Sequence, residues 1–377
     1  MQQALELAQK GRYSTRPNPA VGCVLVKDNQ VVGTGWHQRA GEPHAERHAL
    51  AQAQHHAHGA TAYVTLEPCS HFGRTAPCAD GLIEGGVKRV YIAMLDPNPL
   101  VSGQGVQRLE QAGIEVITGL FGEEAEALNR GFVRRMEQGM PYVVLKMASS
   151  LDGRIAMANG ESQWITGSES RLEVHKLRAA SGAIITGIGT VLADDPSLTV
   201  RLPEKILLEL NLDVNNPSEF QPLRVVLDPF LKMPLTAKML SGIGDTLIIT
   251  SRVTLKTQPE RVAKFRRQNI EVVAVPCQAN RLELRSILQY LAKEQQVNTV
   301  MVESGATVAG SFVEKGLVDE LHSFIAPCLL GNKAKPMFNL PTIYSMANKF
   351  QLNIHSVDLF GQDVRLVLTP VQATSID

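Results

Sequence analysis

The 377-residue chain carries no excess of either charge: lysine plus arginine and aspartate plus glutamate number 37 each. A surface that holds nucleic acid non-specifically needs a net basic field, so this balance argues against nucleic-acid partners, while leaving room for a local anion pocket. An aromatic-interleaved basic stretch, on which single-stranded bases could stack, is also missing. There is no run of about 18 apolar residues, so no membrane span is expected. The opening MQQALELAQKGRYSTRPNP has no basic start followed by an apolar run and does not read as a signal peptide. It reads as a short helix with Ala4, Leu5, Leu7 and Ala8 on one stripe. Cysteines are few and odd in number (Cys23, Cys69, Cys78, Cys277, Cys328). They make a poor disulfide framework and suit a reducing cytoplasm, where clustered cysteines more often bind metal. No internal repeat or low-complexity tract occurs.

What the chain does have is enough apolar residue, 44% against 20% charged, for each half to bury a core. The length predicts two domains. Through about residue 120, short β runs alternate with helical ones. Val21–Val26 and Val31–Gly35 read as a hairpin, Ala45–Gln54 as a helix, Ala62–Leu66 as a strand, Ala79–Gly85 as a helix and Arg89–Met94 as a strand. Glu123–Gln138 is a charged helix stopped by Gly139-Met140-Pro141, which sets the expected boundary between domains 1–140 and 141–377. A second α/β series then begins at Tyr142–Met147, with helices expected at Glu169–Ala179 and Leu282–Gln295. Pro203–Gln221, polar and containing Asn215-Asn216-Pro217, reads as an extended surface loop.

The chemistry is concentrated in Pro43-His44-Ala45-Glu46, Glu67-Pro68-Cys69 and Ala76-Pro77-Cys78. One histidine and two cysteines make a ligand set that zinc accepts, and three protein ligands leave a fourth position open, the mark of a catalytic site. Glu46, two residues beyond His44 at the start of a helix, can face that position without binding metal and carry protons. His44 and Cys78 both sit where helices begin, and the positive end of a helix favours thiolate. His-x-Glu with Pro-Cys-x-x-Cys is the signature of zinc deaminases acting on nucleobases. Here eight residues, not two, separate the cysteines. Taken singly, Cys69 and Cys78 could be small buried hydrophobes and His44 a surface histidine; with Glu46 they make a catalytic set. His37 and His71 flank the motif. The expected chemistry is hydrolytic deamination of a pyrimidine-like ring.

The second half is less explicit. Glu303-Ser-Gly-Ala-Thr lies between a strand and the helical run Val308–Lys315, a turn whose free N–H groups suit a phosphate but often only connects elements. Thr186-Gly-Ile-Gly-Thr is another such turn, without the third glycine of the dinucleotide fingerprint. Lys146 stands in an apolar strand, where an unpaired ammonium would be costly.

At this level of detail the chain resembles the bifunctional riboflavin-biosynthesis deaminase/reductase family. The resemblance rests on Arg16-Pro-Asn-Pro-Ala-Val-Gly-Cys-Val-Leu-Val, Ala40-Gly-Glu-Pro-His-Ala-Glu and Thr65-Leu-Glu-Pro-Cys-Ser-His-Phe-Gly-Arg-Thr-Ala-Pro-Cys, whose eight-residue gap belongs to that family's pattern. Leu145-Lys-Met-Ala-Ser-Ser-Leu-Asp-Gly-Arg, Glu161-Ser-Gln-Trp-Ile-Thr, Ala193-Asp-Asp-Pro-Ser-Leu-Thr-Val-Arg and Val302-Glu-Ser-Gly-Ala-Thr-Val-Ala-Gly-Ser extend it over nearly the whole chain. It implies an α/β fold with an N-terminal cytidine-deaminase-like three-layer domain and a C-terminal dihydrofolate-reductase-like domain. It further implies zinc on His44, Cys69 and Cys78, with Glu46 moving protons and Asn18 and His37 on the first substrate, a diaminopyrimidinone ribosylamine phosphate. In the second domain, Ala148, Trp164, Thr190, Asp194, Gly305, Ala306, Thr307, Val308, Ala309, Gly310 and Ser311 would line NADPH. Ser162, Arg178, Leu198, Arg201 and Glu303 would meet the sugar phosphate, with Lys146 also in the substrate site, and Asp194 or Lys146 would supply the proton. A cytoplasmic homo-oligomer, dimer or tetramer, acting on small molecules is implied as well. Two other readings stay open at this point: a nucleic-acid base deaminase, against which the zero net charge speaks, and a non-catalytic sensor, which would have no use for Glu46.

Overall fold

The computed structural model describes residues 1–70, 76–99 and 101–371. The chain divides into two compact units. One comprises Met1–Pro141 with Glu204–Asn215 and Gln296–Asn298; the other comprises Tyr142–Pro203, Asn216–Gln295 and the residues from Thr299 onward. None of the described helices is long and apolar enough to cross a membrane.

The first unit begins with α1 (Gln2–Gln9), β1 (Gly22–Lys27), β2 (Gln30–Trp36), α2 (Ala45–Ala53), β3 (Thr61–Val64) and α3 (Cys78–Glu84). It continues with β4 (Arg89–Ile92), α4 (Gln104–Gln111), β5 (Glu115–Thr118) and α5 (Gly122–Gln138). The sheet order is β2-β1-β3-β4-β5, antiparallel at β1–β2 and β1–β3 and parallel beyond. Strand residues of alternate parity feed opposite faces. Cys23, Leu25, Ala62, Val64, Val90 and Ile92 pack with Ala45, Ala49 and Ala53 of α2, Leu82 of α3 and Leu109 of α4, while Leu5 of α1 and Ala125 of α5 join a separate cluster with Ala93. Two glycines decide how near α2 comes. A Cβ on Gly35 would lie 2.1 Å from the Ala45 carbonyl oxygen, and one on Gly33 would lie 2.2 Å from that of Ala49. Only a strand bare at both positions lets α2, and with it His44 and Glu46, rest on the sheet.

The second unit opens with β6 (Tyr142–Ser150), β7 (Arg154–Ala156), α6 (Ser168–Ala180), β8 (Ala183–Gly187) and α7 (Ile188–Asp194). After α8 (Glu204–Glu209), which clusters with the first unit, come β9 (Leu223–Leu227), α9 (Lys238–Ser241), β10 (Thr246–Ser251), α10 (Arg252–Thr257), α11 (Pro259–Arg267) and β11 (Glu271–Val275). A small hairpin, β12 (Cys277–Gln278) and β13 (Arg281–Leu282), leads to α12 (Leu284–Lys293), β14 (Thr299–Glu303), α13 (Ala306–Glu314) and β15 (Glu320–Ala326). The last elements are β16 (Lys335–Pro336), paired with β7, then β17 (Leu352–Phe360) and β18 (Asp363–Pro370). The nine-stranded sheet runs β11-β10-β9-β8-β14-β6-β15-β18-β17, parallel as far as β15 and antiparallel over the last two strands. Its inner strands are covered on both faces, which is why Ala183–Gly187 and Thr246–Ser251 are buried throughout, around the apolar centres Ala183–Ile185 and Leu247–Ile249.

Both units are α/β, as expected. One expectation needs correction: residues 203–221 are not an extended loop. They contain α8, and Leu212 and Phe220 are buried. The asparagines and Pro217 mark the turns between these anchors, and their polarity hides the few apolar side chains that hold the segment down.

Two buried carboxylates fix segments on which the sites depend. Glu67, just after β3, accepts four backbone N–H bonds: Asp96 and Gly103 on Oε2, both 3.0 Å, and Gly105 and Val106 on Oε1, 2.8 and 3.3 Å. It satisfies donors at the start of α4 that no helical carbonyl can reach. Asp363, at the start of β18, accepts from the Gly167 N–H at 2.7 Å and the Ser170 hydroxyl at 2.6 Å, capping α6 from a distant strand. Glu67→Gln turns an NH2 group toward two of the four N–H donors and is expected to cost about 2–4 kcal/mol. The reading is a lower urea midpoint at unchanged m, and an unshifted midpoint would show that the four bonds carry little. Asp363→Asn should lose roughly 1–3 kcal/mol in the same experiment, with amide exchange accelerating first in α6. Uniform acceleration over all helices would contradict a local cap.

Candidate functional site

In the first unit, His44 is the extended residue that begins α2, Glu46 lies in that helix's first turn and Cys78 opens α3. These helix starts bring the three expected ligands together: the nearest donor atoms of His44, Cys69 and Cys78 all lie within 4.8 Å of one another. His44 Nδ1 is 3.2 Å from Cys78 Sγ and 3.6 Å from Cys69 Sγ. Tetrahedral zinc, with bonds of about 2.0–2.3 Å, holds its ligand atoms about 3.5–3.8 Å apart. Both the donor set and its spacing therefore fit zinc.

Electrostatics within the cluster follow from burial. The two cysteines act on each other: the Cys69 sulfur, then burial and Glu46, push Cys78 up, while hydrogen bonding with Cys78 and His44 holds Cys69 well below the ordinary thiol range. The backbone N–H of Cys78 also donates to Cys69 Sγ at 3.3 Å. Glu46 is 3% exposed, and burial first, then the neighbouring Cys69 sulfur, pushes its carboxyl up to about 7. His37, 2% exposed, is pushed down to about 4 by burial and stays neutral. Its ring nitrogens meet the Asn18 side-chain amide at 3.1 Å and the Pro43 carbonyl at 3.3 Å. Asn18, His37 and the cluster thus adjoin one another, the His37 and His44 ring centroids being 5.2 Å apart. His71 lies outside the described residues.

Arg47 is a residue that the sequence did not single out. Its guanidinium donates to the Pro77 carbonyl at 2.9 Å and the Ala76 carbonyl at 3.3 Å, tying the segment before Cys78 to the helix of His44. A Cβ on Gly81 would come within 2.8 Å of that guanidinium. The only available signal was its place one residue past the His-x-Glu triplet.

In the second unit the expected charged residues also converge. Glu303 ends β14 directly across from Lys146 on β6. Arg178 of α6 grips Glu303 with two parallel bonds of 2.9 Å, and Lys146 Nζ is 3.4 Å away. Burial pushes the Glu303 carboxyl up, but Arg178 and Lys146 outweigh it and hold the group well below the usual range. Arg178 also donates to the Thr199 carbonyl, and Arg201 to the Thr199 hydroxyl. His175, unremarked in the sequence, accepts from the Arg201 backbone N–H on Nδ1. Burial and the facing arginines push it down to about 4.

These groups line a cavity of about 500 Å³ that also includes Ala148, Ser162, Trp164, Thr190, Asp194, Leu198 and Gly305. Leu198 has φ +50°, an uncommon backbone for leucine. Trp164 is 69% exposed, with the Arg171 guanidinium 4.6 Å from its ring centroid. A second cavity of about 540 Å³ is lined by Gly187–Thr190 at the start of α7 and by Gly305, Ala306, Thr307, Val308 and Ser311 at the start of α13. The two cavities share Ile155, Ser162, Thr190, Asp194 and Gly305. A Cβ on Gly189 would meet no protein atom within 4 Å, so that turn stands bare against open space. Two of the expected lining residues point elsewhere: Ala309 and Gly310 are buried in α13, where a Cβ on Gly310 would lie 2.0 Å from the Asn339 carbonyl oxygen.

Residues 1–94 match the family model described as the cytidine and deoxycytidylate deaminase zinc-binding region, and residues 141–366 match the RibD C-terminal domain. The chain is 48% identical over 370 residues to the riboflavin biosynthesis protein RibD of Escherichia coli K12, covering 98% of each. It superposes on a solved structure of Acinetobacter baumannii RibD with a TM-score of 0.87 at 48% identity, covering 98% of both chains. A Thermotoga maritima structure described as a diaminohydroxyphosphoribosylaminopyrimidine deaminase/5-amino-6-(5-phosphoribosylamino)uracil reductase gives 0.82 at 32% identity, covering 98% of this chain and 97% of that one. A zinc-fitting cluster beside a buried glutamate, two adjoining cavities and full-length similarity thus lead to one conclusion: the chain belongs to the RibD family of bifunctional deaminase/reductases of riboflavin biosynthesis.

Proposed function

We propose that the first unit deaminates a diaminopyrimidinone ribosylamine phosphate at the His44–Cys69–Cys78 cluster and that the second reduces the ribosyl group of the product to ribityl with NADPH. The observation that carries the reading is the buried Glu46 carboxyl beside three ligand atoms that fit zinc. Holding zinc needs no such carboxylate, whereas hydrolytic deamination needs a group that moves protons.

Zinc, when bound to His44, Cys69 and Cys78, supplies the Lewis acidity that makes water a nucleophile near neutral pH. Glu46, its affinity for protons raised by burial, takes the proton from that water on its carboxylate and delivers it to the departing amine. Asn18 and His37 hold the ring: the neutral imidazole and the amide are fixed to each other and to Pro43, so they offer a rigid polar edge. In the second unit, Arg178, Arg201 and Glu303 meet the ribose phosphate, and Ser162 and Leu198 complete that wall. NADPH, when bound, supplies the hydride, and the protein's part is orientation. The residues from Gly305 to Ser311 that face the cavity, with Thr190 and Asp194, hold the dinucleotide so that it borders the sugar. Ala148 and Trp164 do so from the sugar's side of the shared wall. The proton for the reduced sugar comes from Lys146 or Asp194, both of which line the sugar cavity. Five unpaired cysteines suit a cytoplasmic enzyme. Exposed Ile354, Val357 and Leu359 on the edge strand β17 suit a homo-oligomer.

Purified protein given the diaminopyrimidinone substrate should release ammonia and oxidise NADPH. Chelating zinc should abolish the first signal while NADPH oxidation persists with the deaminated intermediate supplied directly. Glu46→Gln should keep its zinc and lower the deamination rate by roughly 10²–10⁴-fold. Unchanged turnover would remove Glu46 from the mechanism, and loss of zinc together with activity would make it a structural group.

A further inference from the structure

The larger cavity of the second unit carries three basic side chains, Arg281, Lys315 and Lys335, and only one carboxylate, Asp194. None of the three cations makes a salt bridge among the described residues. Their positions differ. Asp194, with Ser162, Thr190 and Gly305, lies on the wall shared with the sugar cavity, which is where a reacting nicotinamide must sit. Gly305 and Lys315 cap opposite ends of α13. At about 1.5 Å per residue the helix separates them by roughly 15 Å. Arg281 in β13 lines the same cavity as Lys315, and the Glu283 carboxylate two residues further on feels the Lys315 charge. The Glu283 carboxylate is itself occupied, accepting the Arg285 and Ser286 N–H groups at the start of α12. Lys335 stands at the other end: a Cβ on Gly160, near Ser162, would lie 3.7 Å from its Nζ. Between the ends the walls are apolar, with Leu227, Pro229, Leu282 and Leu284 offering flat contact for a purine.

We infer that Arg281 and Lys315 bind the adenosine 2′-phosphate and so make this reductase choose NADPH over NADH. The inference rests on the dinucleotide reading above and adds to it the residues that discriminate. A phosphomonoester carries close to two negative charges at neutral pH. Arg281 offers it a planar fork with paired donors, and Lys315 a mobile point charge. NADH would bring neither cation a phosphate to meet, so it would gain nothing from them. Lys335 lies on the side of the diphosphate and nicotinamide, which the two dinucleotides have in common, so it takes no part in the choice.

The test is calorimetric titration of the full-length, zinc-loaded protein with 2′,5′-ADP and with 5′-AMP, probes that differ by the phosphate alone. Wild type should bind 2′,5′-ADP at least about tenfold more tightly than 5′-AMP. Arg281→Ala and Lys315→Ala should each weaken 2′,5′-ADP by about fivefold or more, leave 5′-AMP nearly unchanged, and shallow the salt dependence of 2′,5′-ADP binding. Lys335→Ala should leave the ratio of the two affinities as it is. If both variants keep the wild-type ratio, or if Lys335→Ala is the one that collapses it, the inference is overturned. NADPH binding, followed by its fluorescence, separates the two levels of the argument. Wild type that binds neither NADPH nor 2′,5′-ADP removes the dinucleotide reading itself. Wild type that prefers NADPH, with a preference that both substitutions leave intact, removes only the assignment to Arg281 and Lys315.

Discussion

The Arg178–Glu303 pair is the interaction on which the second unit's site depends. A carboxylate taken out of water is stable only where positive charge and donors meet it with good geometry. Glu303 obtains this from a two-pronged guanidinium on α6 and an ammonium on the neighbouring strand. Satisfying one charge therefore fixes three elements, β14, β6 and α6, and through the Thr199 carbonyl it fixes the segment that follows α7 as well. Lys146, costly in an apolar strand, becomes tolerable for the same reason. Asp363 then secures the other end of α6, so the helix that presents His175 and Arg178 is held at both ends by charge. The first unit solves its own version of the problem with backbone donors alone, Glu67 collecting four N–H groups.

This logic explains which parts were legible in the sequence. The expected zinc ligands could be read because each adjoins a proline, and His44 and Cys78 also sit where helices begin, so local spacing nearly determines where those side chains go. The strands expected at Val21–Val26, Val31–Gly35, Ala62–Leu66 and Arg89–Met94 were found within a residue or two, and the one expected at Tyr142–Met147 runs three residues further, to Ser150. Trp164 and Arg178 came from resemblance alone, and Glu303 was legible only as the first residue of a turn suited to a phosphate. Nothing in their immediate neighbourhoods distinguishes Arg178 from any other arginine on a helix, because its partner is 125 residues away.

What stayed hidden is hidden for physical reasons. β15 reads Glu-Leu-His-Ser-Phe-Ile-Ala, and its buried Glu320 and His322 break the apolar signal, since they satisfy each other at 2.6 Å. β17 exposes Ile354, Val357 and Leu359, so its apolar residues do not mark a core. Segment 203–221 looked like a loop because asparagines outnumber the two buried anchors, Leu212 and Phe220. Glu67 was visible as part of a motif, yet its work is done on a loop about 30–40 residues later in the chain. Long-range satisfaction of a buried polar group leaves no periodicity to detect.

The same burial sets the protonation state of a histidine in each site. His37 and His175 are each lowered from an ordinary 6.5 to about 4, by loss of solvent first, with Arg178 and Arg201 adding to the effect at His175. In the unfolded chain both would take up a proton as pH falls through 6.5, whereas in the fold they refuse it until about 4. Between those values the unfolded state binds more protons, so acid works against both units there, and above 6.5 neither histidine contributes to any pH dependence of stability. At neutral pH, then, neither ring carries a charge into its site. Each is a fixed hydrogen-bonding edge: the His37 ring is held between Asn18 and the Pro43 carbonyl, and His175 Nδ1 is occupied by the Arg201 N–H. Positive charge in the second unit's cavity therefore comes from its arginines and lysines, whereas beside the His44–Cys69–Cys78 cluster the Asn18–His37 edge is neutral. On the proposed roles, the first site offers a heterocycle a neutral polar edge and the second offers a sugar phosphate its cations.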